Sequence, residues 1–468
     1  MAVRAQSVEG TWQNHCASCH GKAGKGGGAG TRSLISDDLF SQDKDRAFFD
    51  AIRNGVPDTA MPAYGETMDD ARIWGLVVHI RELQARGLRQ EQGSPKPEGG
   101  VFTSAHHAYR LESVLEKGLV TPWAVDFLPD GRILFTERPG RVRVFVPGTK
   151  PELMPPLHGT PAVRDRGQGG MMEVAVHPDY AANGWVYLAF SDPQGEGGRR
   201  SMTKVVRGRI KGDRWTDEKT IFQAAPETYS GSDLHFGCRI AFGPSVNGRR
   251  HLYFCIGDRG SREKAQDLSE PNGKVHRLWD DGRVPDDNPF VATPGALKSV
   301  WSYGHRNPQG LTFDLDGSLW VTEHGPRGGD ELNRVERARN YGWPTICFGI
   351  DYNDTPFRTP WPREGEDFTM PVLRWLPSIA ACGLDVARGP MFPSWKGDLL
   401  AGGLAGEVLE RVRVRGGVLI EREELIHGLG RVRDVACAPD GSIYVALNDP
   451  VRVVRLVEAG SNGNTGSK

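Results

Sequence analysis

From residue 110 to near its end, the chain alternates apolar and polar residues with a period close to two, the signature of half-buried strands. The stretch WAVDFLPDGRILFTERPG, starting at Trp123, shows the unit: an apolar run, a turn bearing proline or glycine, and a second apolar run. The unit recurs as EVAVHPDYAANGWVYLAFSD from Glu173, RIAFGPSVNGRRHLYFCIGD from Arg239 and GLTFDLDGSLWVTEHGP from Gly310. Further copies begin at Gly383 and Val435. Spacings of roughly 45 to 80 residues are too irregular for a WD-type repeat. Six antiparallel units arranged around an axis predict an all-β six-bladed β-propeller over residues 109–458, with an irregular pair of β-sandwiches as the alternative.

The front of the chain has a different period. DDARIWGLVVHIRELQA, residues 69–85, predicts an amphipathic helix with Asp69 and Asp70 at its positive N-terminal end. VEGTWQNHC predicts a first helix, and it leads into Cys16-Ala17-Ser18-Cys19-His20. This pattern is the attachment signature of a c-type haem. Thiols one helical turn apart reach the two vinyl groups on one porphyrin edge, and the next histidine swings under the ring to the iron. A structural zinc site would want a second cysteine pair nearby, and a redox dithiol has no need of the histidine. The second axial ligand is expected from Met61 in the turn-rich NGVPDTAMPAYG, with Met68 as competitor. Residues 1–88 thus resemble a small all-α class I cytochrome c. Polar GLRQEQGSPKPEGG marks residues 89–108 as a linker, and 459–468 as a disordered tail.

Composition narrows the picture further. The 468 residues carry a formal charge of −1, which argues against a nucleic-acid surface. The 60 glycines and 32 prolines suit many short strands and turns. No apolar run approaches the ~18 residues of a membrane span. No secretory apolar region follows Met1, so the numbering is expected to start after a removed signal peptide. Haem c is attached outside the bacterial cytoplasm, which predicts a periplasmic or secreted protein. Beyond Cys16 and Cys19, five scattered cysteines read as buried free thiols, with one disulfide as an alternative.

The repeat also predicts a site. Relative to the turn marks Pro178, Pro244, Leu315 and Pro439, Gln168, His235, Arg306 and Arg431 lie 10, 9, 9 and 8 residues upstream. Residues at one phase of a blade share one end of a propeller, so these four, with Asn307 and Arg433, should line one mouth. The second strand of each pair returns there, bringing HGPRGGDEL from His324. Three guanidiniums imply an anionic guest, and a histidine among cations should have a lowered pKa and act as a base. Carbonyls of Gly325 and Pro326 could face a hard cation such as calcium. The opposing reading is of capped strand ends and a structural histidine.

GQGGMMEVAVHPDY, HFGCRIAFGP, IGDRG, GHRNPQGLTF, TEHGPRGGDELN, NYGWP and VRDVACAPDG occur in this order. Together they resemble the soluble PQQ-dependent glucose and aldose sugar dehydrogenases, a family that includes sorbosone dehydrogenases. The resemblance covers about residues 110–457 and implies a six-bladed propeller. It implies that His235 takes the proton from the anomeric hydroxyl, while hydride passes to the C5 carbonyl of pyrroloquinoline quinone, polarised by Arg306. It assigns Asn307 and Gln168 to hydrogen bonds with the quinone, Arg431 and Arg433 to its carboxylates, and Tyr352 to its pocket. It gives Gly325 and Pro326 to a calcium gripping the quinone, and Glu331 and Tyr341 to a second, structural calcium. Ala405 stands near a lysine of the soluble glucose enzymes, Leu234 replaces an aspartate, and LPSIAACG replaces a serine-rich stretch.

The two parts imply one activity: a quinohaemoprotein whose partners are a sugar and an external electron acceptor, a redox protein or a quinone. A tether alone would supply a millimolar-scale effective concentration of haem without a tight interface. The alternatives are a calcium-dependent sugar lactonase, a cytochrome joined to a d1-type nitrite reductase propeller, and a non-catalytic propeller that docks a partner.

Overall fold

The computed structural model describes residues 7–27, 31–149, 154–355 and 357–460. At the front, α1 (Val8–His15) starts at Ser7, whose side chain accepts from the amide of Gly10. It runs into α2 (Ala17–His20), and α3 (Asp45–Asn54) and α4 (Asp70–Gln92) follow. Asp69 caps α4 through the amide of Arg72. The helix does not stop at residue 85. It continues to Gln92, four residues into the segment read as linker, because Leu88 is buried and Gly93 ends it at φ 77. Nor is α4 one-faced: the nine consecutive residues from Ile73 to Arg81 are all buried. Such a helix is covered on both sides.

Six sheets follow, and each contains one of the six repeated units. The first has three strands, Pro122–Phe127, Ile133–Glu137 and Arg141–Phe145. Blades two to five are four-stranded antiparallel meanders starting at Met171, Ile240, Pro308 and Ala381. The sixth, starting at Arg431, is completed by Ala108–Leu115, which pairs with Arg452–Glu458 and so joins the two ends of the propeller. Phe102–Thr103 adds a short fifth strand, so the expected linker carries sheet structure at its far end. Ala459 bonds Ala108, and residues 461–468 of the expected tail lie outside the described residues.

Carboxylates tie the inner strands of neighbouring blades. Asp126 accepts from the amide of Val176 at 2.6 Å, Asp385 from Cys437 at 2.8 Å, and Asp434 from Val125 at 2.9 Å. Arg239 bridges Glu173 of blade two, the carbonyl of Gln309 in blade four and Asp434 of blade six. Its buried charge is thus paired on several sides. All seven cysteines are free thiols. Among the described residues no helix is long and apolar enough to cross a membrane.

The cytochrome part and the propeller share a core, contrary to the expectation of a tether without a tight interface. Phe348, Ile350 and Leu376 belong to the same buried cluster as Trp12, Trp74, Val77 and Val78. Trp74 donates to the carbonyl of Phe348 at 3.0 Å, and Asp45 pairs with both Arg81 and Arg374.

Candidate active site

Gln168, His235, Arg306 and Asn307 directly precede the innermost strands of blades two, three and four, and Arg431 opens that of blade six. The second strands of blades three and four end at Ile256 and Glu323, so Gly257-Asp258 and His324-Gly325 arrive at the same end. The mouth expected from spacing is therefore formed. Its centre is a junction of main chains: the Asp258 amide donates to the carbonyl of Arg306 at 2.8 Å, and Asp258 holds His235. A Cβ on Gly257 would lie 2.4 Å from the carbonyl oxygen of His235, so only glycine fits between the two segments.

His235 sits in the left-handed region at φ 50, which a non-glycine residue adopts at a cost of about 1–3 kcal/mol. Its amide donates to Gln168 Oε1 at 2.8 Å, and Nδ1 meets Asp258 Oδ1 at 2.7 Å. That carboxylate fixes the tautomer and leaves Nε2 as the basic nitrogen. Asp258 is held by the amide of Gly260 and by Trp343 Nε1 at 2.8 Å. Burial and the nearby Arg306 lower the imidazole pKa below its usual 6.5, against the opposing pull of Asp258. The direction matches the sequence expectation, but desolvation is its largest cause.

Arg306 stacks over Trp343 at 5.3 Å and donates to the carbonyls of His324 and Gly325, at 3.1 and 2.8 Å. A cationic group therefore already rests on one carbonyl expected to ligate calcium. The Pro326 carbonyl accepts from Gly329 and Ser378. Asn307 contacts the Gly237 amide and Gln309. Arg433 lies 4.1 Å over Trp123 and donates to Cys382 Sγ. Among the described residues neither Arg431 nor Arg433 has a carboxylate partner, and burial lowers the Arg433 pKa. Forks with no anion of their own suit an anionic cofactor. Ala405 donates to the carbonyl of Ile379, and Asp233 pairs with Arg164 and Arg166.

Glu331 and Tyr341 line a cavity of about 20 Å³ with Glu323 and Gly325, room for one ion or water. Burial and Glu323 push the Glu331 carboxyl up to about 8, and the buried Asn333 Oδ1 has no partner. Two crowded carboxylates beside an orphaned oxygen are a hard donor set that suits calcium. The Tyr341 hydroxyl is engaged by Arg334 and Glu336, leaving its backbone carbonyl to contribute.

One expected pocket residue is displaced. Tyr352 is 71% exposed, in a turn closed by Asp351 and Asp354, and not enclosed as a pocket wall would be. Asp258 and Trp343 are site residues the sequence reading missed, and His324, which it brought to the mouth, was given no role there. His324 lies between Arg306 and Arg433, and burial with both cations lowers its pKa to about 3, so it is neutral. The rule that brought in His324, applied to the end of the second strand of blade three, would have found Asp258.

In the front domain the thiols of Cys16 and Cys19 are free, and His20 Nδ1 is buried without a partner. Met61 is half-buried against the cytochrome core, whereas Met68 is a buried member of it. The donor set suits a covalent haem held by His20 and Met61.

Residues 119–455 match the glucose / sorbosone dehydrogenase family, and residues 3–80 match cytochrome c oxidase, cbb3-type, subunit III. Aldose sugar dehydrogenase YliI of Escherichia coli strain K12 is 38% identical over 344 residues, 72% of this chain and 89% of that protein. The apo crystal structure of the soluble E. coli aldose sugar dehydrogenase superposes with a TM-score of 0.67 at 33% identity, covering 75% of this chain and 99% of that one. The PQQ-bound aldose sugar dehydrogenase of Streptomyces coelicolor gives 0.60 at 26% identity, covering 78% and 99%.

Proposed function

This chain belongs to the glucose / sorbosone dehydrogenase family, with a cytochrome c domain at its N-terminus, and on that footing we propose that it is a PQQ-dependent aldose dehydrogenase that delivers electrons through its own haem c. The observation that carries this reading is the convergence of a buffered base, His235, and three anion-seeking arginines on one mouth. In this reading Nε2 of His235 takes the proton of the anomeric hydroxyl, and Asp258 stabilises the imidazolium that forms. When bound, the quinone would supply the hydride acceptor for the anomeric carbon, with the sugar leaving as a lactone. Arg306 would steady negative charge at the mouth, and the Gly325 and Pro326 carbonyls would hold a calcium ion there if Arg306 turned away from Gly325. Arg431 and Arg433 hold carboxylates, while Gln168 and Asn307 orient the ring. Cys16, Cys19, His20 and Met61 would hold the haem, which would supply one-electron transfer to an external acceptor. Haem c attachment, which occurs outside the bacterial cytoplasm, supports a periplasmic or secreted location.

The test is a panel of aldoses assayed with added quinone, calcium and a dye acceptor. The reading expects dye reduction with a subset of aldoses and its loss in His235→Ala, which keeps the haem spectrum. Lactone hydrolysis with no quinone requirement would instead support a lactonase.

A further inference from the structure

Helix α4 does more than close the cytochrome domain. Glu82, on its propeller-facing side, receives Arg327 in a bidentate pair with both contacts at 2.7 Å. Arg327 directly follows Pro326, and it also pairs with Asp354. One helical turn earlier, Val78 Cγ1 lies 3.0 Å from where a Cβ on Gly328 would stand, at a glycine with φ 84. A further turn back, Trp74 donates to the Phe348 carbonyl. Phe348 leads into Ile350, whose amide bonds the carbonyl of Arg327. Residues 74, 78 and 82 therefore grip both arms of one loop pair, the 325–329 turn and the 347–350 segment. Within that turn, Ser378 accepts from Gly328 and Gly329 and donates to Pro326, while the Gly325 carbonyl receives Arg306.

The contacts continue into the haem region. Glu82 lies 3.8 Å from the buried His79 ring, His79 packs on Trp12 with ring centroids 5.5 Å apart, and Trp12 lies 6.1 Å from His20. One run of touching side chains thus joins the histidine of the haem motif to the turn facing Arg306. This inference rests on the proposed function, since it concerns the turn assigned there to the cofactor.

We propose that the Glu82–Arg327 pair is a clamp by which the cytochrome domain holds the Gly325–Pro326 turn in place, making that domain a fixed wall of the cofactor site and not a swinging carrier. The clamp makes Arg327 and Glu82 positioning residues, since neither touches the reacting atoms. Coupling of this kind is reciprocal: a cofactor that favours the clamped turn also favours the docked domain.

Glu82→Arg puts like charges in contact at the junction, and the exchange Glu82→Arg with Arg327→Glu restores opposite ones. Two readouts on the full haem-loaded chain are hydrogen exchange of the peptide spanning 324–330 and the dissociation constant of PQQ at saturating calcium. The clamp predicts faster exchange at 324–330 and at least tenfold weaker quinone binding in Glu82→Arg, with an unchanged haem spectrum. It predicts partial recovery of both in the exchanged double variant, in which the new carboxylate at position 327 also meets Asp354. If Glu82→Arg does not fold, Glu82→Gln serves, with smaller changes of the same sign. Exchange and affinity equal to the unaltered protein overturn the clamp. If the unaltered protein binds no PQQ, the functional reading fails, and the exchange data alone decide whether the junction holds the turn.

Discussion

At His235 three separate restraints meet: a left-handed backbone, a Gln168 acceptor for the amide and an Asp258 acceptor for Nδ1. The surroundings thus over-determine a strained conformation, as expected where geometry serves chemistry. His235→Ala should lower kcat by ~10²–10⁴. Because burial lowers the imidazole pKa, the neutral base persists below pH 6.5, and the acid limb of kcat/KM should lie under that value. Asp258 raises that pKa, so Asp258→Asn should move the limb lower still while kcat falls; a limb that rises would contradict this assignment. At the opposite side, Arg433→Ala should weaken PQQ binding by ~100-fold, on the order of 3 kcal/mol, by removing a fork from a desolvated carboxylate. Fluorescence titration with PQQ measures it.

At the scale of elements, the six blades and the mouth were legible because a period of two and a recurring turn are local signals. Gln168, His235 and Arg306 could be aligned by counting from the turn. Trp343 escaped because its role arises from a hydrogen bond to Asp258 across two blades, and no spacing within one blade encodes that. The end of α4 was misjudged for a related reason. Its polar tail, Arg89 included, reads as solvated linker until Glu424, 335 residues away, supplies a partner. The same helix read as one-faced because the propeller that covers Trp74 and Val78 is far off in sequence. Two variants probe these contacts. Gly257→Ala should push His235 away from Arg306 and cost about 100-fold in kcat, with little change in haem absorbance. Trp74→Phe removes the bond to Phe348 and should cost about 1 kcal/mol of stability, read by denaturant unfolding.

At the scale of the whole molecule, a domain recognisable as a cytochrome and one recognisable as a dehydrogenase pack into a single body. Arg81, Asp45 and Arg374 knit its centre, Arg327 and Glu82 one side and Arg89 and Glu424 another. Burial works against the Glu82 charge, but His79 and Arg327 outweigh it and hold its carboxyl at about 2, below the usual 4.5. A depressed carboxyl contributes stability that is complete above the unfolded value and disappears as pH falls through the folded one. The Glu82 pair should therefore hold at pH 5 and weaken progressively from about 4.5 toward 2. The measurement that bears most directly on the account is stopped-flow absorbance of the haem after an aldose substrate is mixed with quinone- and calcium-loaded protein. The account predicts reduction of the haem at a first-order rate that does not change on tenfold dilution. Haem that stays oxidised at every concentration while a dye is turned over would contradict it.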